Sequence, residues 1–187
     1  MNILLAGISA KFIHQNLAVD TLRLYAEEQY GISCAAAEYT INQPFDFILG
    51  ELYRRKPDLL GFSCYLWNWE RVRRLSRALK TVLPGTRIVL GGPEVSADPA
   101  EALEASGADF VLSGEGEEPF SRLCLALGDG LSLETVPSLT WKRDGELVRT
   151  PLASPLDLAR LPFPVRDFGQ YANRILYYEA QRGCPFN

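Results

Sequence analysis

The chain has a single histidine, His14, so a multi-histidine metal centre is not expected. Its four cysteines, at positions 34, 64, 124 and 184, lack the short pair spacings of a zinc site and the density of a disulfide framework. A reducing cytoplasm is the simplest setting for them. No apolar run reaches the roughly 18 residues of a membrane span. The start, Met1-Asn2-Ile3-Leu4-Leu5-Ala6-Gly7, has no basic leader and reads as a first strand, not a signal peptide. Positive charge is not in excess: the net charge is −4, which leaves no electrostatic footprint for nucleic acid. The dinucleotide fingerprint G-x-G-x-x-G is missing as well, so NAD is not expected.

What is present is a regular alternation of short apolar runs and helical patterns. At 187 residues the chain fits one domain plus an extension, and 47% apolar residues suffice for a buried core. Residues 2–8, 33–39, 59–63, 87–90 and 110–113 read as strands. Helices are expected over 14–30, stopped by Gly31; from Pro44 to Arg55; and over 70–83. A further helix is capped by Asp98, opened by Pro99 and ended near Gly107, and a last one covers 120–127. Strand–helix units so spaced imply a parallel sheet with helices on both faces. The fold class is therefore α/β: a flavodoxin-like (Rossmann-like) doubly wound five-stranded sheet in the order 2-1-3-4-5.

After Gly128 the pattern changes. Residues 137–141 and 146–150 flank Arg143-Asp144-Gly145, a hairpin signal. Pro151, Pro155, Pro162 and Pro164 then mark an extended linker. Residues 175–180 read as a last strand before Cys184. This divides the chain into a first domain at 1–130, a hairpin and linker at 131–174, and the start of something further at 175–187.

In such a sheet ligands sit at the carboxyl ends of the strands. Those ends carry Ser9-Ala10-Lys11 after the first strand and Ser63-Cys64-Tyr65-Leu66-Trp67-Asn68-Trp69 after the third. They carry Gly91-Gly92-Pro93-Glu94 after the fourth and Gly114-Glu115-Gly116-Glu117 after the fifth. The glycines let a bulky flat ligand approach the backbone, the aromatics offer an apolar wall, and Ser63 supplies a hydroxyl. Cys64 reads as a buried small hydrophobe beside the site. Trp67 and Trp69 either wall the site or pack a helix start. Gly92 is read as a surface turn where a side chain would block a ligand without harming the fold. With no glycine in the first loop after Gly7, and carboxylates at Glu115, Glu117 and Glu118 in the last, a phosphate is a poor fit.

The combination of Ser63, Gly91-Gly92-Pro93-Glu94 and Gly114-Glu115-Gly116-Glu117 with Pro119-Phe120, followed by Arg182-Gly183-Cys184-Pro185, resembles the N-terminal cobalamin-binding domain of cobalamin-dependent radical S-adenosylmethionine (radical SAM) proteins, including the Mg-protoporphyrin IX monomethyl ester cyclase-like family. The resemblance implies that cobalamin lies over the rim, its benzimidazole tail inserted past Ser63 and the Gly91-Gly92 turn. The rim residues named above, Leu66 and Trp69 excepted, would be the cofactor-binding set. It implies that Cys184 is the first ligand of a 4Fe–4S cluster in the motif Cys-x3-Cys-x2-Cys. Cysteines would then follow at positions 188 and 191, in a C-terminal radical SAM domain that also binds S-adenosylmethionine. The longer protein would transfer a methyl group or perform cyclase-like chemistry, and the present residues alone would be inactive.

The chain departs from the cobalamin domains of methionine synthase and the mutases. Those carry Asp-x-His-x-x-Gly after the first strand, whereas His14 has Phe12 and Leu17 at the flanking positions. Without the Asp to orient the ring, His14 is not expected to ligate cobalt. Two alternatives remain open to the residues alone. A signalling domain of the response-regulator kind would need an Asp after the third strand, where Ser63 stands. A flavodoxin-type FMN module would need a Ser/Thr-rich loop after the first strand, where only Ser9 stands.

Overall fold

The computed structural model describes residues 1–166 and 168–183; Cys184, the expected first cluster ligand, lies outside the described residues. Strands β1 (Ile3–Ser9), β2 (Ala35–Thr40), β3 (Leu59–Ser63), β4 (Arg87–Gly91) and β5 (Phe110–Leu112) run parallel in the order β2-β1-β3-β4-β5. Between and after them stand α1 (Leu17–Tyr30), α2 (Phe45–Arg55), α3 (Trp69–Val82), the single turn α4 (Pro93–Ser96), α5 (Pro99–Ser106) and α6 (Glu117–Asp129). The capping chemistry read from the sequence is realised. Gly31 and Gly107 close α1 and α5 in the left-handed conformation, and the Asp98 carboxylate accepts from the Glu101 amide at 3.1 Å.

Strand residues alternate between two cores, as a sheet covered on both faces requires. Leu4, Ala6, Ile8, Leu60, Phe62, Ile88 and Leu90 pack under α2, α3 and α5. Leu5, Leu59, Val89, Phe110 and Leu112 pack under α1 and α6 with Val19, Phe120 and Leu123.

Two expectations are corrected. The sheet has seven strands, not five: β6 (Leu139–Arg143) pairs antiparallel with β5, and β7 (Glu146–Arg149) with β6. Asp144 and Gly145 form the expected tight turn with φ of 52° and 86°. The pairing follows from burial: Leu139 and Trp141 point into the second core, and β6 satisfies the open edge of a three-residue β5. Residues 175–180 form no strand; Ile175 makes an isolated parallel bridge with His14.

Asn68 ties the sheet's carboxyl ends together. Fully buried, it donates from Nδ2 to the carbonyls of Ile8 and Ser63, both at 2.9 Å, and accepts from the Tyr65 amide at 2.8 Å. Removing it strands three buried backbone groups. Asn68→Ala is expected to lower stability by about 3 kcal/mol, read as a shifted urea midpoint with unchanged slope. A midpoint equal to that of the parent would contradict this role.

Candidate functional site

The site is built on the α1/α6 face of the sheet, at its carboxyl rim. Register places Leu5, Gly61, Val89 and Phe110 in one row across β1, β3, β4 and β5, and Ser63, Gly91 and Leu112 in a row nearer the rim. Of the two glycines in these rows, Gly91 leaves its part of the floor bare, while the Leu5 side chain lies over Gly61. A cavity of about 570 Å³ opens above the floor, walled by Leu17, Thr21 and Leu22 of α1 and by Phe120 of α6. That size is within the ordinary range of ligand pockets.

Gly61 of β3, Gly91 of β4 and Gly92 just after it differ in what they do. A Cβ on Gly61 would meet Leu5 Cδ2 at 2.7 Å, so a side chain there would require Leu5 to move. A Cβ on Gly91 would find only the Leu112 carbonyl, at 3.8 Å, and would stand in the cavity. Gly92 has φ of 110°, and a Cβ there would lie 2.5 Å from the Cys64 carbonyl oxygen. Gly92 is therefore fixed by the approach of two backbones. The expectation that a side chain at Gly92 leaves the fold intact is corrected.

Asn16 sets the height of α1 over the floor. It caps the helix by accepting from the Val19 amide, and its Nδ2 donates to Ser63 Oγ at 3.2 Å. The same side chain lies where a Cβ on Gly7 would stand, 2.5 Å away. Asn in front of an apolar helical pattern is the sequence signal for this cap; its grip on Ser63 has no local signal.

Of the residues expected at the site, Ser63, Tyr65, Gly91, Gly92, Pro93, Gly114, Glu115, Gly116 and Glu117 line the cavity. The others stand off its wall. Ser9, Ala10 and Lys11 offer their carbonyls to Ile41, Asn42 and His14 respectively. Cys64 is fully buried in the opposite core, and burial pushes its thiol up, so it stays neutral. Trp67 stacks flat on Tyr65 with ring centroids 4.5 Å apart, half exposed at the mouth. Asn68 is the sheet tie, and the Glu94 amide faces the Cys64 carbonyl at 3.4 Å.

The carboxylates of Glu115, Glu117 and Glu118 all have partners. Glu115 accepts from the Leu156 amide at 2.8 Å. Glu118 accepts from Tyr25, Tyr30 and Arg122, which hold its carboxyl below the usual range against the opposing effect of burial. Glu117 is paired with Arg182. The chain's last described stretch runs back over this rim. Arg174 bonds the His14 carbonyl and pairs with Glu38, the Tyr177 amide donates to Gln15, and Glu179, Gln181, Arg182 and Gly183 close one side of the cavity. Sequence reasoning missed this wall, together with Leu17, Thr21 and Leu22, and had Phe120 only as part of the motif after the last strand. The helical residues were visible as apolar spacing, but the return of the terminal stretch depends on contacts more than 100 residues apart, such as Tyr177 with Gln15.

His14 stands outside the cavity wall, its Nδ1 2.5 Å from the Tyr177 hydroxyl and the two rings stacked. Among the described residues no group of three His, Cys, Asp or Glu side chains is placed to hold a metal ion. No helix among them is long and apolar enough to cross a membrane.

Comparison with known proteins bears on this groove. A family model for the B12 binding domain matches residues 3–124. The chain is 31% identical to the cobalamin-dependent radical SAM methyltransferase TokK of Streptomyces tokunonensis, over 91% of this chain and 27% of that protein. It is 29% identical to the anaerobic magnesium-protoporphyrin IX monomethyl ester cyclase of Synechocystis sp., over 68% of this chain and 27% of that protein. The chain thus spans about a quarter of the length of these curated relatives. Its fold matches that of the cobalamin-dependent S-adenosylmethionine radical enzyme OxsB with aqua-cobalamin and S-adenosylmethionine bound. That match has a TM-score of 0.76 and 16% identity, and covers 91% of this chain and 25% of that one.

The two rim glycines should separate in a stability measurement. Gly92→Val is expected to cost about 3 kcal/mol, because it combines positive φ with a backbone clash. Gly91→Val should cost less than about 1 kcal/mol, because its methyl groups enter open space. Equal urea midpoints for the two variants would show that the close approach at Gly92 does not hold.

Proposed function

The chain belongs to the B12 binding domain family, and on that footing we propose that the groove between α1, α6 and the carboxyl rim is the seat of cobalamin. The observation that carries the reading is the missing side chain at Gly91, which leaves the floor open beneath a largely apolar cavity of about 570 Å³. A flat benzimidazole fits such a slot, against Leu5, Val89, Leu112 and Phe120. The Ser63 hydroxyl, held by Asn16, is the polar group at its side. The glycine turns Gly91-Gly92 and Gly114-x-Gly116 and the Tyr65–Trp67 stack are then the surface presented to the corrin. In this reading cobalamin supplies the carriage of a one-carbon group; the chain's own residues bind it, exclude water from its tail and orient it.

The relatives' names support a wider reading. The chain is the cobalamin module of a longer enzyme whose C-terminal radical SAM domain holds a 4Fe–4S cluster, starting at Cys184, and S-adenosylmethionine. Methyl transfer or cyclase-like chemistry is the reaction class, with a cytoplasmic setting consistent with the buried free thiols of Cys34, Cys64 and Cys124. Exposed Phe12, Leu66, Trp67 and Tyr178 around the rim are suited to contact with that domain. A flavin or signalling role is not favoured, since the family matched is that of the B12 binding domain.

Titration with hydroxocobalamin, followed by visible absorption, tests the seat. The parent protein should bind; Gly91→Val should abolish binding while losing less than about 1 kcal/mol of stability; and Ser63→Ala should weaken it about fivefold, the worth of one hydrogen bond of ~1 kcal/mol. Unchanged affinity in both variants would place the cofactor elsewhere.

His14 is engaged by Tyr177 and lacks an orienting carboxylate. Electron paramagnetic resonance of the Co(II) form is expected to show no protein nitrogen on cobalt. A nitrogen splitting in the parent that vanishes in His14→Ala would reverse this.

A further inference from the structure

The arginine two residues before Cys184 has a place in the fold of its own. Arg182 donates from Nη2 to Glu117 Oε1 at 2.6 Å and from Nη1 to Glu117 Oε2 at 3.0 Å, a bidentate pair. Its Nε donates to Glu179 at 2.7 Å, and Glu115 lies 3.8 Å away. The pair is sheltered: side-chain exposure is 17% for Arg182 and 5% for Glu117. Glu117 is the first residue of α6, where the helix end already favours a carboxylate. Among the described residues Arg182 is the cation paired with it.

Both partners line the cavity, on different walls. Glu117 belongs to the loop-to-helix turn after β5, and Arg182 to the returning terminal stretch. That stretch, from Glu179 to Gly183, belongs to no helix or strand, so side chains set its position. A lysine in place of Arg182 would keep the charge and lose the two-pronged geometry.

We propose that Arg182 is a positioning residue: its pair with Glu117 fastens the stretch leading into Cys184 across the mouth of the groove, where it forms a wall of the cofactor seat. The proposal rests on the groove being the cobalamin seat. It assigns to Glu117 a task different from direct contact with the cofactor. It also ties the placement of the segment entering the cluster motif to the same wall that holds cobalamin.

Two measurements decide it. Trypsin needs a free arginine side chain, so cleavage after Arg182 should be slow in the parent. It should be about tenfold faster in Glu117→Gln, with cleavage elsewhere in the chain unchanged. If Glu117→Gln loosens the whole fold, cleavage rises everywhere. Chymotryptic cleavage after Tyr178 in Arg182→Gln then decides, because the altered side chain lies in the terminal stretch. The second measurement is the release rate of bound hydroxocobalamin, expected to rise about tenfold in Arg182→Gln and by less in Arg182→Lys, as loss of a sheltered charge pair speeds dissociation. Unchanged cleavage overturns the fastening. Faster cleavage with unchanged release overturns the role in the seat. A parent protein that binds no hydroxocobalamin refutes the cofactor reading, and the cleavage rates still decide whether Glu117 holds the stretch.

Discussion

The rim depends on how closely the backbones of β3 and β4 meet at their carboxyl ends. The Cys64 amide donates to the Gly91 carbonyl at 2.7 Å, and Gly92 turns away with φ of 110°, its α-carbon pressed against the Cys64 peptide. No other residue type fits there without displacing one strand. That contact holds Gly91 at the floor, facing α1 and α6 with nothing on its α-carbon. The cavity opens where β4 reaches the rim without a side chain, beside the small Ser63 that ends β3.

Polar groups around the floor serve this geometry before they serve any ligand. Asn68 joins the ends of β1 and β3 through two carbonyls, and Asn16 joins α1 to Ser63. Each buried amide saturates backbone or hydroxyl groups that the abrupt strand ends would otherwise leave unpaired. The result is a preorganised slot with an apolar floor and helix faces, closed on one side by the paired charges of Glu117, Glu179 and Arg182. Such a slot suits a flat aromatic tail better than a phosphate, and the carboxylates of the loop after β5 reinforce that preference.

Those carboxylates also explain how a sheet domain controls a stretch of chain without secondary structure. Glu115 holds Leu156 of the linker, Glu118 gathers two tyrosines and Arg122, and Glu117 takes Arg182. Glu115 and Glu117 thus form a docking strip for the chain's own later residues, and the last wall of the groove is fastened to it.

Much of this was legible in the residues themselves. Five apolar runs with caps at Gly31, Asp98 and Gly107 determine the parallel sheet and its order, because burial on both faces and helix termination are local properties. The glycine pairs at 91–92 and 114–116 mark the rim, since turns there need them. Other features were settled only in three dimensions. The joining of β6 to β5 depends on an edge that must be covered, which no window of sequence displays. The division of labour between Gly91, which opens the floor, and Gly92, which is fixed by Cys64, is invisible where the two letters are identical. The placement of His14 against Tyr177 and of Arg182 against Glu117 joins residues 163 and 65 positions apart. Sequence carries propensity and period; contacts between distant residues arise when packing brings two surfaces together, and that is decided by the whole fold.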